Sequence, residues 1–398
     1  MKSIIRLKVI RLLFAASIAF VTANGAMLAL AGHVTHEGEA TCFTQSPSEA
    51  SQQIDFANAK AKPLPAAAPA IGPLEGGISA ENSGEPGSEP GSVGTGKMIA
   101  TPPGEAPQTG SEAETSADSG GAVPQEYGTA NIPYTTSRVD LTSANNESKS
   151  YPYRAAGKLY FNEPGGSYVC SASLIKRGIV VTAGHCVANF GKSTFYSGWQ
   201  FRPGMSNGAS GTIIPYGTWS VSKAWVLTSY YNGTDSCSQS GVVCKDDVAV
   251  LALTPQSGAL PGTSAGWLGY GWNGWGFTPG NTVQITQLGY PVSADSGLMM
   301  QRTDSQGFVS SSNSNCTVWG SRQTGGSSGG PEVANFGVAA ELSGTAYGTY
   351  SNYNYVIGVT SWGSTTDTVK QEGASSFTSG NVQYLVNQAC AAYPANCK

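Results

Sequence analysis

Three histidines are all the imidazoles this chain has, and two of them, His33 and His36, stand beside an amino-terminal apolar stretch. A histidine base acting in the remainder must therefore be His185. It lies in Val180-Val181-Thr182-Ala183-Gly184-His185-Cys186, directly after an apolar strand-like run, so a strand end would present its ring at a rim. A lone histidine is more often structural than catalytic, and its companions decide. The first companion is a glycine-flanked serine, Gly325-Gly326-Ser327-Ser328-Gly329-Gly330-Pro331. Such flanks let backbone N–H groups approach a substrate oxygen unobstructed, which nucleophilic acyl transfer through a serine hydroxyl requires. A plain glycine-serine loop is the competing reading, and Ser328 also satisfies the G-x-S-x-G elbow of α/β-hydrolases. That elbow needs a histidine after the serine, and none follows Ser328. The order left is His…Asp…Ser, with Asp246 and Asp247 both standing ahead of the apolar run Val248–Leu253.

The elements that would position these groups are short. After Tyr127 the chain alternates apolar and polar residues in runs divided by Gly, Asn and Pro, such as GKLYF, YVCSASLI, GIVVTAGH, DDVAVLAL, NTVQITQLGY and YNYVIGVTSW. These read as strands of a sandwich or barrel, and 52 glycines with 12% charged residues agree with many turns. The segment Ser379–Ala392 puts Val382, Leu385, Val386 and Ala389 on one helical face, with Ser379 as N-cap.

Ahead of that part, Lys2, Arg6, Lys8 and Arg11 precede the apolar run Leu12–Val21 and then Ala29-Leu30-Ala31, the layout of a secretory signal over residues 1–31 with a cut after Ala26 or Ala31. That run is about half of the ~20 residues a membrane span needs. The expectation is an exported, extracellular protein with no stable membrane association once the signal is removed. Residues 32–127 form a low-complexity pro-segment or linker, and from Lys60 to Pro124 its Pro, Gly, Ser, Ala and Glu content predicts disorder. Thirteen acids between Glu37 and Glu126 face three lysines, whereas residues 127–398 hold twelve acids against fourteen Lys and Arg. The near-neutral folded part has no basic run to suit a nucleic acid.

Eight cysteines behind an export signal point to disulfides. Proximity pairs Cys170 with Cys186, Cys237 with Cys244 and Cys390 with Cys397; Cys42 and Cys316 are left free or paired across the pro-segment. No cysteine spacing is that of a zinc site and a single histidine cannot form a cluster, so neither metal nor organic cofactor is implied.

TAGHC, DDVAVLAL, GGSSGGP and GVTSWG follow one another in the order of the landmarks of chymotrypsin-like serine proteases, which this chain resembles over about Tyr151 to Lys398. Gly289-Tyr290-Pro291 and the form GGSSGGP resemble the secreted bacterial branch with the glutamyl endopeptidases. The resemblance implies two six-stranded antiparallel Greek-key β-barrels with a carboxy-terminal helix in a domain over residues 128–398. It implies His185 as general base, Asp247 as orienting carboxylate, since the family acid immediately precedes an apolar run, and Ser328 as nucleophile. It further implies an oxyanion hole from the N–H groups of Gly326 and Ser328, and a substrate-pairing edge at Ser361-Trp362-Gly363, which makes the substrate an extended protein or peptide chain. Counting back six residues from Ser328 puts Arg322 at the floor of the primary pocket, where it would attract an acidic side chain. Two positions depart from the family. Ser327 replaces the aspartate that pairs with a new amino terminus, so the pro-segment would act by masking the cleft, assisting folding or another terminus contact. Thr360 replaces the histidine usual in glutamyl endopeptidases, so glutamate specificity does not carry over. The rival readings are a protease-like binding or adhesion protein and an esterase with the same triad.

Overall fold

The computed structural model describes residues 32–67, 84–99, 132–140, 147–208, 211–235, 237–239, 243–278, 281–310, 316–337, 352–364 and 368–398. Residues 1–31, where the sequence suggests a secretory signal, lie outside them, as do residues 68–83 and 100–131 of the low-complexity region.

Six strands close a first barrel: β1 (Ala156–Glu163), β2 (Gly166–Lys176), β3 (Ile179–Thr182), β4 (Ser197–Pro203), β5 (Trp219–Leu227) and β6 (Ala249–Leu253). They pair antiparallel in the ring order β1-β2-β3-β6-β5-β4 and back to β1. A second ring repeats that order with β7 (Thr282–Gly289), β8 (Gln301–Val309), β9 (Cys316–Gly320), β10 (Pro331–Ala334), β11 (Tyr355–Ser364) and β12 (Gln371–Ser376), running β7-β8-β9-β12-β11-β10 and back. In each ring the fourth strand lies beside the first, which is the Greek-key arrangement, and closure leaves the barrels no bare edge. The alternating runs of the sequence are thus barrel strands. Their apolar residues, among them Leu159, Phe161, Leu174, Val180, Trp199, Phe201 and Leu251, fill the first interior, each worth about 1.5–3 kcal/mol when fully buried.

The terminal helix α1 (Tyr384–Ala392) follows a wider turn over Ser379–Gln383, and Val382, Leu385, Val386 and Ala389 are all buried as the periodicity requires. Its cap is Thr378, not Ser379. Thr378 is extended, its hydroxyl accepts from the Asn381 N–H, and the Asn381 side chain accepts from the Thr378 N–H, a reciprocal box that Ser379 cannot make one residue later.

Disulfides join Cys170 to Cys186 and Cys390 to Cys397. The backbones of Cys237 and Cys244 face each other across a short hairpin, while their side chains lie outside the described residues. Cys42 and Cys316 are free thiols, and burial pushes both up to about 12, which makes them unreactive near neutrality.

The expectation of disorder from Lys60 to Pro124 fails where the structure describes that stretch. Lys60–Ala61 pairs parallel with Tyr168 and Val169 of β2, Ala66–Ala67 pairs parallel with Gly363 and Ser364 of β11, and Gly87–Glu89 pairs with an added strand, Gly269–Trp272. Further upstream, Ala40–Thr44 extends the sheet at residues 223–227 of β5, and Glu37 pairs with Lys223. Composition counts side chains that can be buried, whereas these segments are held by main-chain hydrogen bonds to sheet positions that the barrels already present.

The second barrel encloses two carboxyl groups, Glu332 on β10 and Glu372 on β12. Both oxygens of Glu332 and one of Glu372 lack hydrogen-bond partners. Burial, and for Glu332 the neighbouring Glu372, drives both up, Glu372 to about 8. Each therefore keeps a proton in the folded state that it loses in the unfolded chain above about 4.5. Folding stability from this pair is fully present below pH 4.5 and is lost as pH rises towards 8. In a domain of this size each kcal/mol lost moves the melting midpoint by roughly 2–4 °C. Replacing both by glutamine is expected to flatten the fall in midpoint between pH 5 and 8, measured by thermal melting; an unchanged slope would exclude the pair as its source.

Candidate active site

His185 follows β3 on a single 3₁₀ turn, Gly184–Cys186, and the disulfide from Cys186 to Cys170 ties that turn to β2. Gly184 packs closely: a Cβ there would lie 3.0 Å from Asp247 Oδ1 and 3.2 Å from the ring of Tyr230, so any side chain would press on both. The carboxylate can thus reach the main chain of the turn. Asp247 Oδ1 accepts from the His185 backbone N–H at 2.8 Å, and Oδ2 lies 2.8 Å from His185 Nδ1 and 2.5 Å from Ser361 Oγ. Burial alone would raise the Asp247 carboxyl, but His185 beside it and the bonds from His185 and Ser361 hold it below the usual carboxylate range. An ionised carboxylate only accepts, so the proton of the pair is on Nδ1 and the Nε2 lone pair is left open.

Asp246 turns elsewhere. Its backbone N–H donates to Asp235 at 2.9 Å and its carboxylate accepts from Asn381 at 3.1 Å. Of the two acids, Asp247 is the one that pairs with His185.

Ser328 comes from the second barrel, on the loop ahead of β10. Two glycines set that loop. Gly326 has φ +93°, and a Cβ on it would lie 2.5 Å from the Tyr290 carbonyl; Gly329 has φ +76°, and a Cβ on it would lie 1.9 Å from Thr182 Oγ1 and 2.8 Å from the Ala183 nitrogen. The latter contact seats the serine loop directly against the end of β3, beside His185. Main-chain bonds fix it there: Ser171 N–H to the Ser328 carbonyl at 2.8 Å and Gly329 N–H to the Thr360 carbonyl at 2.7 Å. Ser171 Oγ donates to the Gly326 carbonyl at 2.8 Å and accepts from the Tyr290 N–H at 3.0 Å. Among the described residues, neither Ser328 Oγ nor His185 Nε2 has a hydrogen-bond partner, and both are buried.

The Gly326 N–H donates to the Lys62 carbonyl at 3.0 Å. Gly363 N–H does likewise to Pro65 at 2.9 Å, so the Ser361–Gly363 edge carries an added strand. Trp362 is wholly buried with its indole N–H on Cys316 Sγ, and only its main chain is part of that edge. Arg322 is exposed, between buried Ser321 and Gln323, as a guanidinium without a buried partner should be. Sequence reasoning missed the Ser361 hydroxyl on Asp247, the bracing role of Ser171 and the segment Lys62–Pro65 bonded to Gly326 and Gly363. For the last there was a signal in Lys62-Pro63-Leu64-Pro65, since alternate prolines favour an extended chain that bonds through its carbonyls.

Cys170, His185 and Cys186 offer ligand atoms within 4.8 Å of one another. The two sulfurs are bonded to each other and Nδ1 is taken by Asp247, so this set does not fit a metal ion.

Among curated proteins, an extracellular metalloprotease of Bacillus subtilis (strain 168) is 28% identical over 159 residues, which is 39% of this chain and 44% of that protein. The chain thus spans less than half the length of this relative. Similar solved structures include the thermostable serine protease AL20 from an extremophilic microorganism (21% identity, TM-score 0.45, covering 60% of this chain and 97% of that one). The protease Anisep from Arthrobacter nicotinovorans (21%, 0.45, 60% and 96%) and a Glu endopeptidase (20%, 0.44, 66% and 97%) are comparable. The trypsin family model matches residues 142–379, more than half of the sequence and the whole span from the first barrel to the turn before α1. On that match the chain belongs to the trypsin family.

Proposed function

We propose that this chain is a secreted serine endopeptidase in which Ser328 is the nucleophile, His185 the general base and Asp247 the orienting carboxylate. The observation that carries the reading is the Nδ1 pairing of His185 with Asp247, which leaves the Nε2 lone pair next to the Ser328 loop. In the reaction Ser328 Oγ attacks a peptide carbonyl carbon while its proton passes to Nε2, and Asp247 stays ionised and stabilises the imidazolium. The N–H groups of Gly326 and Ser328 receive the oxyanion, each donor worth about 3 kcal/mol. Nε2 then gives its proton to the departing amine as the C–N bond breaks. Water, deprotonated by Nε2, then attacks the acyl carbon; the ester C–Oγ bond breaks, the acid leaves, and Nε2 returns the proton to Ser328 Oγ.

The groove also sets a direction. The departing amine must lie on the His185 side, towards Cys186, Cys170 and Val169, so the acyl part lies along Gly363. A productive chain therefore runs, amino to carboxyl end, from Gly363 towards Val169. An outward-facing Gly326 N–H is what acyl transfer needs and counts against a binding protein with a collapsed loop. The Bacillus relative's name refers to a metal, whereas the Cys170, His185 and Cys186 donor set is taken up by a disulfide and by Asp247. Secretion rests on the amino-terminal pattern of Lys, Arg and apolar residues; no helix among the described residues is long and apolar enough to cross a membrane. Specificity for an acidic side chain through Arg322 remains the proposal the residue count suggests, with the guanidinium acting from an exposed position.

Treating exported protein, with its amino-terminal segment released, with a fluorophosphonate probe is expected to label Ser328, identified by peptide mass mapping, and to leave His185→Ala unlabelled. Labelling of another residue, or equal labelling of the variant, would refute the assignment.

A further inference from the structure

We infer that residues Lys60–Ala67 are a built-in inhibitor that lies in the substrate groove in the reverse of the productive direction, and that catalysis requires this strand to leave. The inference rests on Ser328 being the nucleophile. Lys62 N–H donates to the Val169 carbonyl at 2.9 Å, the Lys62 carbonyl accepts from the Gly326 N–H at 3.0 Å, and the Pro65 carbonyl accepts from the Gly363 N–H at 2.9 Å. Both ends pair parallel to the barrel strands they touch, Lys60–Ala61 with Tyr168 and Val169 and Ala66–Ala67 with Gly363 and Ser364. The segment thus spans the groove from the leaving-group side to the acyl side, taking up the oxyanion donor and the substrate edge together. The three residue steps from Lys62 to Pro65 cover about 10 Å of extended chain, enough for this crossing.

Direction is what makes the strand an inhibitor instead of a substrate. The carbonyl facing Gly326 is that of Lys62, and the nitrogen bonded to it, that of Pro63, lies towards Gly363. A proton on His185 Nε2 is then on the wrong side to reach the departing nitrogen, so attack by Ser328 could only reverse. The bond ahead of a proline is also a tertiary amide with no N–H to orient.

Two side chains seat the strand. The Lys62 ammonium pairs with Glu163, donates to Tyr196 Oη at 3.2 Å and lies 5.5 and 4.7 Å from the ring centroids of Tyr168 and Tyr196. Leu64 is half-buried against the edge, its Cδ1 3.5 Å from where a Cβ on Gly363 would be. Ser328 Oγ and His185 Nε2 are both buried and unbonded among the described residues.

The test uses the full-length chain and a full-length Lys62→Glu/Leu64→Asp variant, with Leu64→Asp alone as a second variant and thermal melting to verify folding. The rate of fluorophosphonate labelling at Ser328 is expected to rise at least tenfold in the double variant and to fall again when a synthetic peptide of residues 59–67 is added. Equal labelling of Ser328 in all three chains would overturn the inhibitor while leaving the nucleophile intact. Absence of labelling in every chain, with amide exchange at Gly326 and Gly363 faster in the variants, would instead refute the nucleophile and with it the inhibitory role. Recovery of a new amino terminus at Pro63 from active wild-type protein would overturn the reversed direction.

Discussion

Ser328→Ala, made in the Lys62→Glu/Leu64→Asp background so that the groove is open, is expected to lose ~10⁴-fold or more in turnover of a peptide substrate. What remains would come from substrate binding and the oxyanion donors, which the substitution does not touch. Stability is expected to move the other way or not at all. The loop containing Ser328 is held through its carbonyl, on the Ser171 N–H, and through Gly329, while its hydroxyl is buried with no partner. Removing an unsatisfied hydroxyl from a buried site relieves a cost instead of creating one. The measurement is kcat/KM on a peptide alongside the melting midpoint. A lost activity with an unchanged or raised midpoint is the signature of a removed nucleophile; a lost activity with a midpoint many degrees lower would mean that the loop had collapsed, and retained activity would exclude Ser328.

Much of this site was legible in the residues. His185 was the one imidazole outside the amino-terminal region, Ser328 carried its glycines, and of the two aspartates ahead of Val248 the resemblance picked the one that pairs with His185. The strands were legible because a half-buried strand must alternate and each turn must break the pattern, and Gly326 and Gly329 stood out as flanks of a serine; their positive φ and close packing are structural findings. The groups that brace the site were not. Ser171 on β2 supports the Gly326 loop 155 residues away, and the Ser361 hydroxyl reaches Asp247 across the seam between barrels 114 residues away. Nothing local distinguishes these serines from others on a strand.

The paired segments within the amino-terminal region escaped the sequence for a related reason. Low hydrophobicity is a sound argument against an independent core, but residues 60–67 and 87–89 need none, since they borrow hydrogen bonds from β2, β11 and the strand at Gly269–Trp272. The buried Glu332 and Glu372 were hidden likewise: a glutamate on a short strand reads as facing solvent until a closed barrel encloses it.

Asp247→Asn is expected to cost about 10⁴-fold in turnover, against a few-fold at most for Asp246→Asn, in the same open background. The carboxylate of Asp247 accepts from three donors, the His185 backbone N–H, His185 Nδ1 and Ser361 Oγ. A carboxamide has one acceptor oxygen, and its NH₂ group turned towards the ring would move the imidazole proton from Nδ1 to Nε2. The lone pair that must take the proton of Ser328 would then be gone while the ring itself stayed in place. Asp246→Asn retains an oxygen for Asn381 and leaves its backbone bond to Asp235 unchanged. Its effect should appear at Asp235, whose carboxyl is pushed up to about 7 by burial first and by Asp246 second, so that neutralising Asp246 lowers it. Turnover of both variants on one peptide, together with titration of Asp235 by carboxyl-carbon NMR, separates the roles. Equal losses from the two substitutions would mean that the site depends on the local negative charge and not on the tautomer that Asp247 enforces.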